Sequence, residues 1–271
     1  MPYAYRSEQI MARARTYDLT HHDSVELISM GDLHATSMHA DLEMIRQAIA
    51  WLQEADNRYA VIPGDVFDTA IKGSISLDLS ERGMTSKDGR HMLARMLEPV
   101  AGRILCILSG NHDDRLTRDA GSDEVDALCC QLGIGDRYFE QGEAFLRLKV
   151  GQYKHNNNAV LYNVYMTHGN AGGRLPGGKA NSLLALRNII HNADLYLNGH
   201  GHTPMVLPDV AWAFSPKKAD VIEQKQIFIS CGSSLRRAGY PVKRGFPPLA
   251  RVWATVTLHG GSKRMSAHIE H

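Results

Sequence analysis

The chain has 271 residues, with 30 lysines and arginines against 29 aspartates and glutamates and a formal net charge of +1, so it can bury a sizeable core and carries no overall charge that draws it to nucleic acid or a membrane surface. Its four cysteines, Cys106, Cys129, Cys130 and Cys231, form no CxxC pair, which argues against a zinc ribbon and predicts reduced, mostly buried thiols. No apolar leader opens the sequence and no run approaches the roughly 18 apolar residues of a membrane span, so a soluble, cytoplasmic protein without a membrane partner is expected.

In chain order, residues 1–24 read as an N-terminal extension and 25–271 as one domain. The run VELISMGDLH at 25–34 is a strand that ends on Asp32 and His34. A helical pattern follows at 39–55, then a strand, RYAVIPGD, at 58–65, which leads into Asp65 and Asp68. Residues 69–88 read as a loop or insertion, and 89–98 as helix. The strand RILCILSGNHDD at 103–114 delivers Asn111, His112 and Asp113, and a helical pattern occupies 122–132. The asparagine-rich KHNNN stretch within 151–158 reads as a solvated hairpin turn. The strand at 161–170 ends on His168, 181–191 is read as helix, and LYLNGHGH at 195–202 ends on His200 and His202. The last third, QIFISCGSSL, ARVWATVTLHG and SKRMSAHIEH, shows strands without helices between them and predicts a second, antiparallel sheet. Strand and helix otherwise alternate, which predicts an α/β sandwich whose polar clusters gather beyond the carboxyl ends of the strands.

Each cluster taken alone is equally a cap, a turn or an ordinary histidine. Five together, all placed after apolar strands, make one chemistry. Carboxylate oxygen, imidazole nitrogen and amide oxygen suit borderline divalent ions such as manganese, iron or zinc. Three such groups would serve one ion. Two ions about 3.5–4 Å apart would need a bridging anion, for which Asp65 is the natural candidate. In an extended chain residues i and i+2 share a side, so His200 and His202 would converge on one point.

The blocks DLH, GDVFD, GNHD, HG and GHGH, in that order and spacing over residues 25–235, resemble those of the calcineurin-like metallophosphoesterase family. The resemblance implies a four-layer α/β/β/α sandwich of two mixed sheets flanked by helices, and an enzyme that hydrolyses phosphate esters. It also implies two divalent ions, manganese first, with iron, zinc or nickel as alternatives. One would be held by Asp32, His34, Asp65 and His202, the other by Asp65, Asn111, His168 and His200, with Asp65 bridging. His112 would protonate the leaving group or stabilise charge on phosphorus, oriented by Asp68, while Asp113 is either a supporting residue or the N-cap of the segment DRLTRDA. The reaction implied is in-line attack of water on phosphorus without a covalent intermediate. Ser233 and Ser234 have no activating base in view and read as turn formers.

Substrate is less legible. GDVFD and GNHD are also similar to blocks of the SbcD-like nuclease branch, whereas the lipid-sugar pyrophosphatase branch has arginine where this chain has His112. Residues 215–251 carry Lys217, Lys218, Lys225, Arg236, Arg237, Lys243, Arg244 and Arg251 against Asp220 and Glu223. That balance suits DNA or RNA, with Arg236 and Arg237 as phosphate contacts, or else a solvated sheet edge. A metal-dependent phosphodiesterase is the leading expectation, with nucleic acid one candidate substrate, and a phosphomonoesterase or a non-catalytic scaffold are its alternatives. The oligomeric state stays open.

Overall fold

Alternation along the strands decides the layering. The computed structural model describes residues 14–69, 84–169, 173, 175–215, 219–238, 242, 248 and 250–269. In β3 (Arg58–Ile62), Tyr59 and Val61 join one buried cluster while Ala60 and Ile62 join another on the opposite face. The same division recurs in β8 (Leu195–Asn198), where Leu195 and Leu197 face one way and Tyr196 the other. A strand buried on both faces must lie between two layers, so each sheet carries helices outside and packs on its partner inside.

One sheet has the order β12 (Met265–Ile269), β11 (Ala254–His259), β2 (Ser24–Ser29), β3, β4 (Ile104–Leu108), β5 (Tyr138–Phe139). The other runs β1 (Arg15–Leu19), β6 (Glu143–Gln152), β7 (Ala159–Thr167), β8, β10 (Val221–Ser230), β9 (Met205–Phe214). Both are mixed: β2, β3, β4 and β5 run parallel, as do β7, β8 and β10, while β11 pairs antiparallel with β2 and β12, β6 with β7, and β9 with β10. Outside the first sheet pack α1 (Leu42–Glu54), α2 (Ser86–Leu97) and α4 (Glu124–Gln131); outside the second packs α5 (Pro176–Leu184). This is the expected four-layer α/β/β/α sandwich.

Helix α1 shows why the outer layers hold. Ile45, Ala48, Ile49 and Leu52 are buried on one stripe at helical spacing, and each of the three larger side chains contributes roughly 1.5–3 kcal/mol by leaving water. Asp41 caps the helix by accepting from the Met44 N–H at 3.4 Å.

Several expectations need correction. The last third does not build an antiparallel sheet of its own: β10 pairs in parallel with β8, while β11 crosses to pair antiparallel with β2. The helix expected at 181–191 instead starts at Pro176, whose fixed φ suits a first helical turn, and tightens after Leu184 into a 3-10 turn, Ala185–Asn188. Within the stretch read as an extension, Arg15–Leu19 form the edge strand β1, paired in parallel with β6. The expected loop at 69–88 lies largely outside the described residues, and its last residues already belong to α2. The KHNNN stretch is the exposed connection between β6 and β7, as expected. Three cysteines are buried and Cys130 is exposed, all of them free. Among the described residues no helix is long and apolar enough to cross a membrane.

Candidate metal centre

The five polar clusters lie just past the carboxyl ends of β2, β3, β4, β7 and β8, and the loops that carry them are laced together by backbone hydrogen bonds. Beyond the paired part of β2, Asp32 N–H donates to Gly64 O at 3.0 Å and His34 N–H to Asp65 O at 2.9 Å. Six non-glycine residues among those described have left-handed backbone, and five are Asp32, His34, Asp65, His200 and His202, with φ between 43° and 61°. Such conformations cost energy and persist only where the surroundings over-determine them, as they do in this centre. His200 and His202 therefore do not sit on extended chain, and their side chains enter different groups.

The first group is Asp32, His34, Asp65 and His202, whose donor atoms all lie within 4.8 Å of one another. His34 Nε2 is 3.2 Å from His202 Nε2 and 3.6 Å from Asp65 Oδ2, and His202 Nε2 is 3.2 Å from Asp32 Oδ1. The second is Asp65, His168 and His200, joined by Asn111. His168 Nε2 is 3.4 Å from Asp65 Oδ1 and 3.1 Å from Asn111 Oδ1, and His200 Nδ1 is 2.7 Å from the same amide oxygen. The two oxygens of Asp65 thus face different groups. His168 Nδ1–H donates to Pro63 O at 2.8 Å, which turns Nε2 inward. Gly64 makes this approach feasible, because a Cβ there would lie 2.5 Å from His168 Nδ1.

The electrostatics ask for a cation. Oδ2 of Asp32 is buried without a hydrogen-bond donor. Burial disfavours charge on both Asp65 and His168, yet their hydrogen bond and mutual charge prevail, holding Asp65 well below the usual carboxylate range and raising His168 to about 10. Burial pushes His34 down to about 3, so it is a neutral imidazole, the form that binds metals. Carboxylates and imidazoles converging in two groups that share one carboxylate fit a dinuclear metal site.

His112 stands beside both groups. Its Nδ1 is 2.7 Å from Asp68 Oδ1, and its ring meets that of His34 edge-on, with centroids 4.7 Å apart. Asp113 occupies the cap position of α3 (Asp114–Ala120), but its carboxylate does not cap that helix. It accepts instead from the N–H groups of Val66, Phe67 and Gly110 at 3.1, 2.9 and 2.9 Å, tying the GNHD loop to the GDVFD loop. Asp113→Ala leaves three buried donors unpaired and is expected to cost about 3 kcal/mol or more of stability, read from the denaturant midpoint. Unchanged stability would deny this tie.

Ser233 Oγ donates to Asp32 O at 2.9 Å and Ser234 Oγ to Leu33 O, so these hydroxyls brace the first metal-side loop. Arg236 is 59% exposed and pairs with Asp41 at 3.2 Å, where Arg251 also binds; Arg237 is exposed. Lys217, Lys218, Lys243 and Arg244 lie outside the described residues. Two residues of the centre carry no motif signal. Lys179 donates to Gly201 O and Thr203 Oγ1 at 2.7 and 2.6 Å, bracing the histidine loop, and nothing in its sequence context marks it. Arg115 meets His112, three residues earlier, a spacing that a helical reading of 114–120 would have revealed.

Two solved structures are similar in outline. A conserved uncharacterized protein of Streptococcus pneumoniae, described as a predicted phosphoesterase, is 11% identical, with 91% of this chain and 98% of that one covered and a TM-score of 0.35. GAP50, the anchor in the inner membrane complex of Plasmodium, is 12% identical, with 91% and 84% covered and a TM-score of 0.47. No curated protein matches. The model of the calcineurin-like phosphoesterases matches residues 27–204, a span that holds every residue of the two groups, and the chain belongs to that family.

Proposed function

We infer that this chain is a dinuclear phosphodiesterase with nucleic acid as its substrate class. Asp32, His34, Asp65 and His202 hold one divalent ion, and Asp65, Asn111, His168 and His200 hold the other, manganese being the metal to test first. The observation that carries the reading is the division of Asp65, with Oδ2 3.6 Å from His34 Nε2 and Oδ1 3.4 Å from His168 Nε2. Bound there, the ions polarise phosphoryl oxygens and acidify water, which removes the need for a protein base.

The chain's own groups position and move protons. Asp68 accepts from His112 Nδ1–H, which fixes the ring and presents Nε2 to the leaving-group oxygen. The Asp65 carboxylate also accepts from the His112 N–H at 2.9 Å, so the histidine is seated on the residue that belongs to both donor groups. Support for nucleic acid comes from the basic composition of residues 215–251.

Turnover of bis-p-nitrophenyl phosphate against p-nitrophenyl phosphate in manganese tests the reading, and the diester is expected to be the better substrate. Preference for the monoester would make the chain a phosphatase, and no turnover of either would favour a scaffold. On nucleic acid, replacing Arg236 and Arg237 together by Ala should raise KM and flatten the salt dependence by about one counterion per lost contact. The small diester should be hydrolysed as before; equal loss on both substrates would assign the arginines to the fold.

A further inference from the structure

The guanidinium of Arg115 lies against His112, the imidazole that neither group of donors uses. Its Nη2 is 3.1 Å from His112 Nε2 and its Nη1 is 3.1 Å from Nδ1. These contacts are not equivalent. Asp68 Oδ1, 2.7 Å from Nδ1, accepts there, so Nδ1 carries the ring hydrogen and offers nothing to Nη1. Nη2 donates to the lone pair of Nε2. Nη1 reaches Thr69 O at 3.4 Å and stays 3.9 Å from Asp68 Oδ1, whose short contact goes to His112.

Arg115 is therefore a mostly buried cation, its side chain 21% exposed, whose nearest acceptor is a ring nitrogen rather than a carboxylate. A guanidinium fork interacts far better with two oxygens of an anion. Its Nη2 and His112 Nε2, 3.1 Å apart, can engage the same phosphoryl group, and His112 stands against His34 and Asp65 on the metal side.

We propose that Arg115 is a substrate-binding residue whose guanidinium takes a non-bridging oxygen of the scissile phosphate and in doing so frees His112 Nε2 to take up a proton from water and pass it to the leaving-group oxygen, an assignment that rests on the phosphoesterase reading above. Arg115 then discriminates in favour of esters with an unshielded anionic oxygen on that side of phosphorus. The competing role is a tether that only braces His112 and the Thr69 segment.

The test uses the full chain loaded with manganese, and inorganic phosphate as the probe, titrated calorimetrically into wild type, Arg115→Gln and Arg115→Lys. Loss of a charge-assisted contact should weaken phosphate binding about ten- to a hundred-fold in Arg115→Gln. KM for bis-p-nitrophenyl phosphate should rise by a similar factor, more than kcat falls, with manganese stoichiometry unchanged. Arg115→Lys, which keeps the charge without the fork, should recover part of the binding, and it carries the test if Arg115→Gln does not fold. Unchanged phosphate affinity and KM with a reduced kcat overturns the proposal and leaves the tether. Arg115-dependent phosphate binding without ester turnover keeps this site and removes the hydrolase reading instead; turnover with an Arg115-independent KM does the reverse.

Discussion

Asp65→Asn is expected to abolish the two-ion centre, leaving at most one weakly held manganese and lowering diester turnover by about a thousand-fold or more. The magnitude follows from the loss of preorganised charge where the reaction develops its own. The reason lies in the geometry: the two oxygens of Asp65 face His34 on one side and His168 on the other, so a neutral amide there removes charge from both groups. Asparagine keeps an oxygen to accept from the His112 N–H, so the loops need not rearrange. Asp32→Asn is the contrast, because Asp32 belongs to one group alone. Titration of manganese into both variants checks the difference, and two ions retained at wild-type affinity in Asp65→Asn would end the bridging assignment.

His112→Ala should keep both ions and lose about two to four orders of magnitude in turnover, the range for a positioned proton donor. Asp68→Asn should show a smaller loss of the same kind, since the ring stays and only its orientation relaxes. Metal content measured beside turnover decides between this role and another that the geometry allows. His34, Asp68 and His112 also bring donor atoms within 4.8 Å of one another. Manganese lost together with activity in His112→Ala would make these residues ligands and withdraw the proton-transfer role.

Much of the centre was legible because its signals are local. An apolar strand that runs into Gly-Asp, Gly-Asn-His-Asp or Gly-His-Gly-His states where burial ends and donor chemistry begins, and five such blocks in order need no distant information. Asp68 and His112, expected as partners, lie 2.7 Å apart. Arg236 was singled out for its charge, yet its placement depends on Asp41, which comes from a helix start far away in the chain.

What the sequence by itself determined is therefore the set of residue types, their order past the strand ends and the alternation that buries each strand on two faces. Only the tertiary structure decided which strands meet, because β10 beside β8 and β11 beside β2 are pairings between segments whose local patterns are equally compatible with a separate sheet. It also decided the left-handed backbone of His34, His200 and His202, a conformation that stays uncommon even for histidine and that many interlocking hydrogen bonds impose. The turn of Asp113 away from its helix has the same cause: three backbone N–H groups from two loops compete for its carboxylate, and burial leaves them no water to use instead.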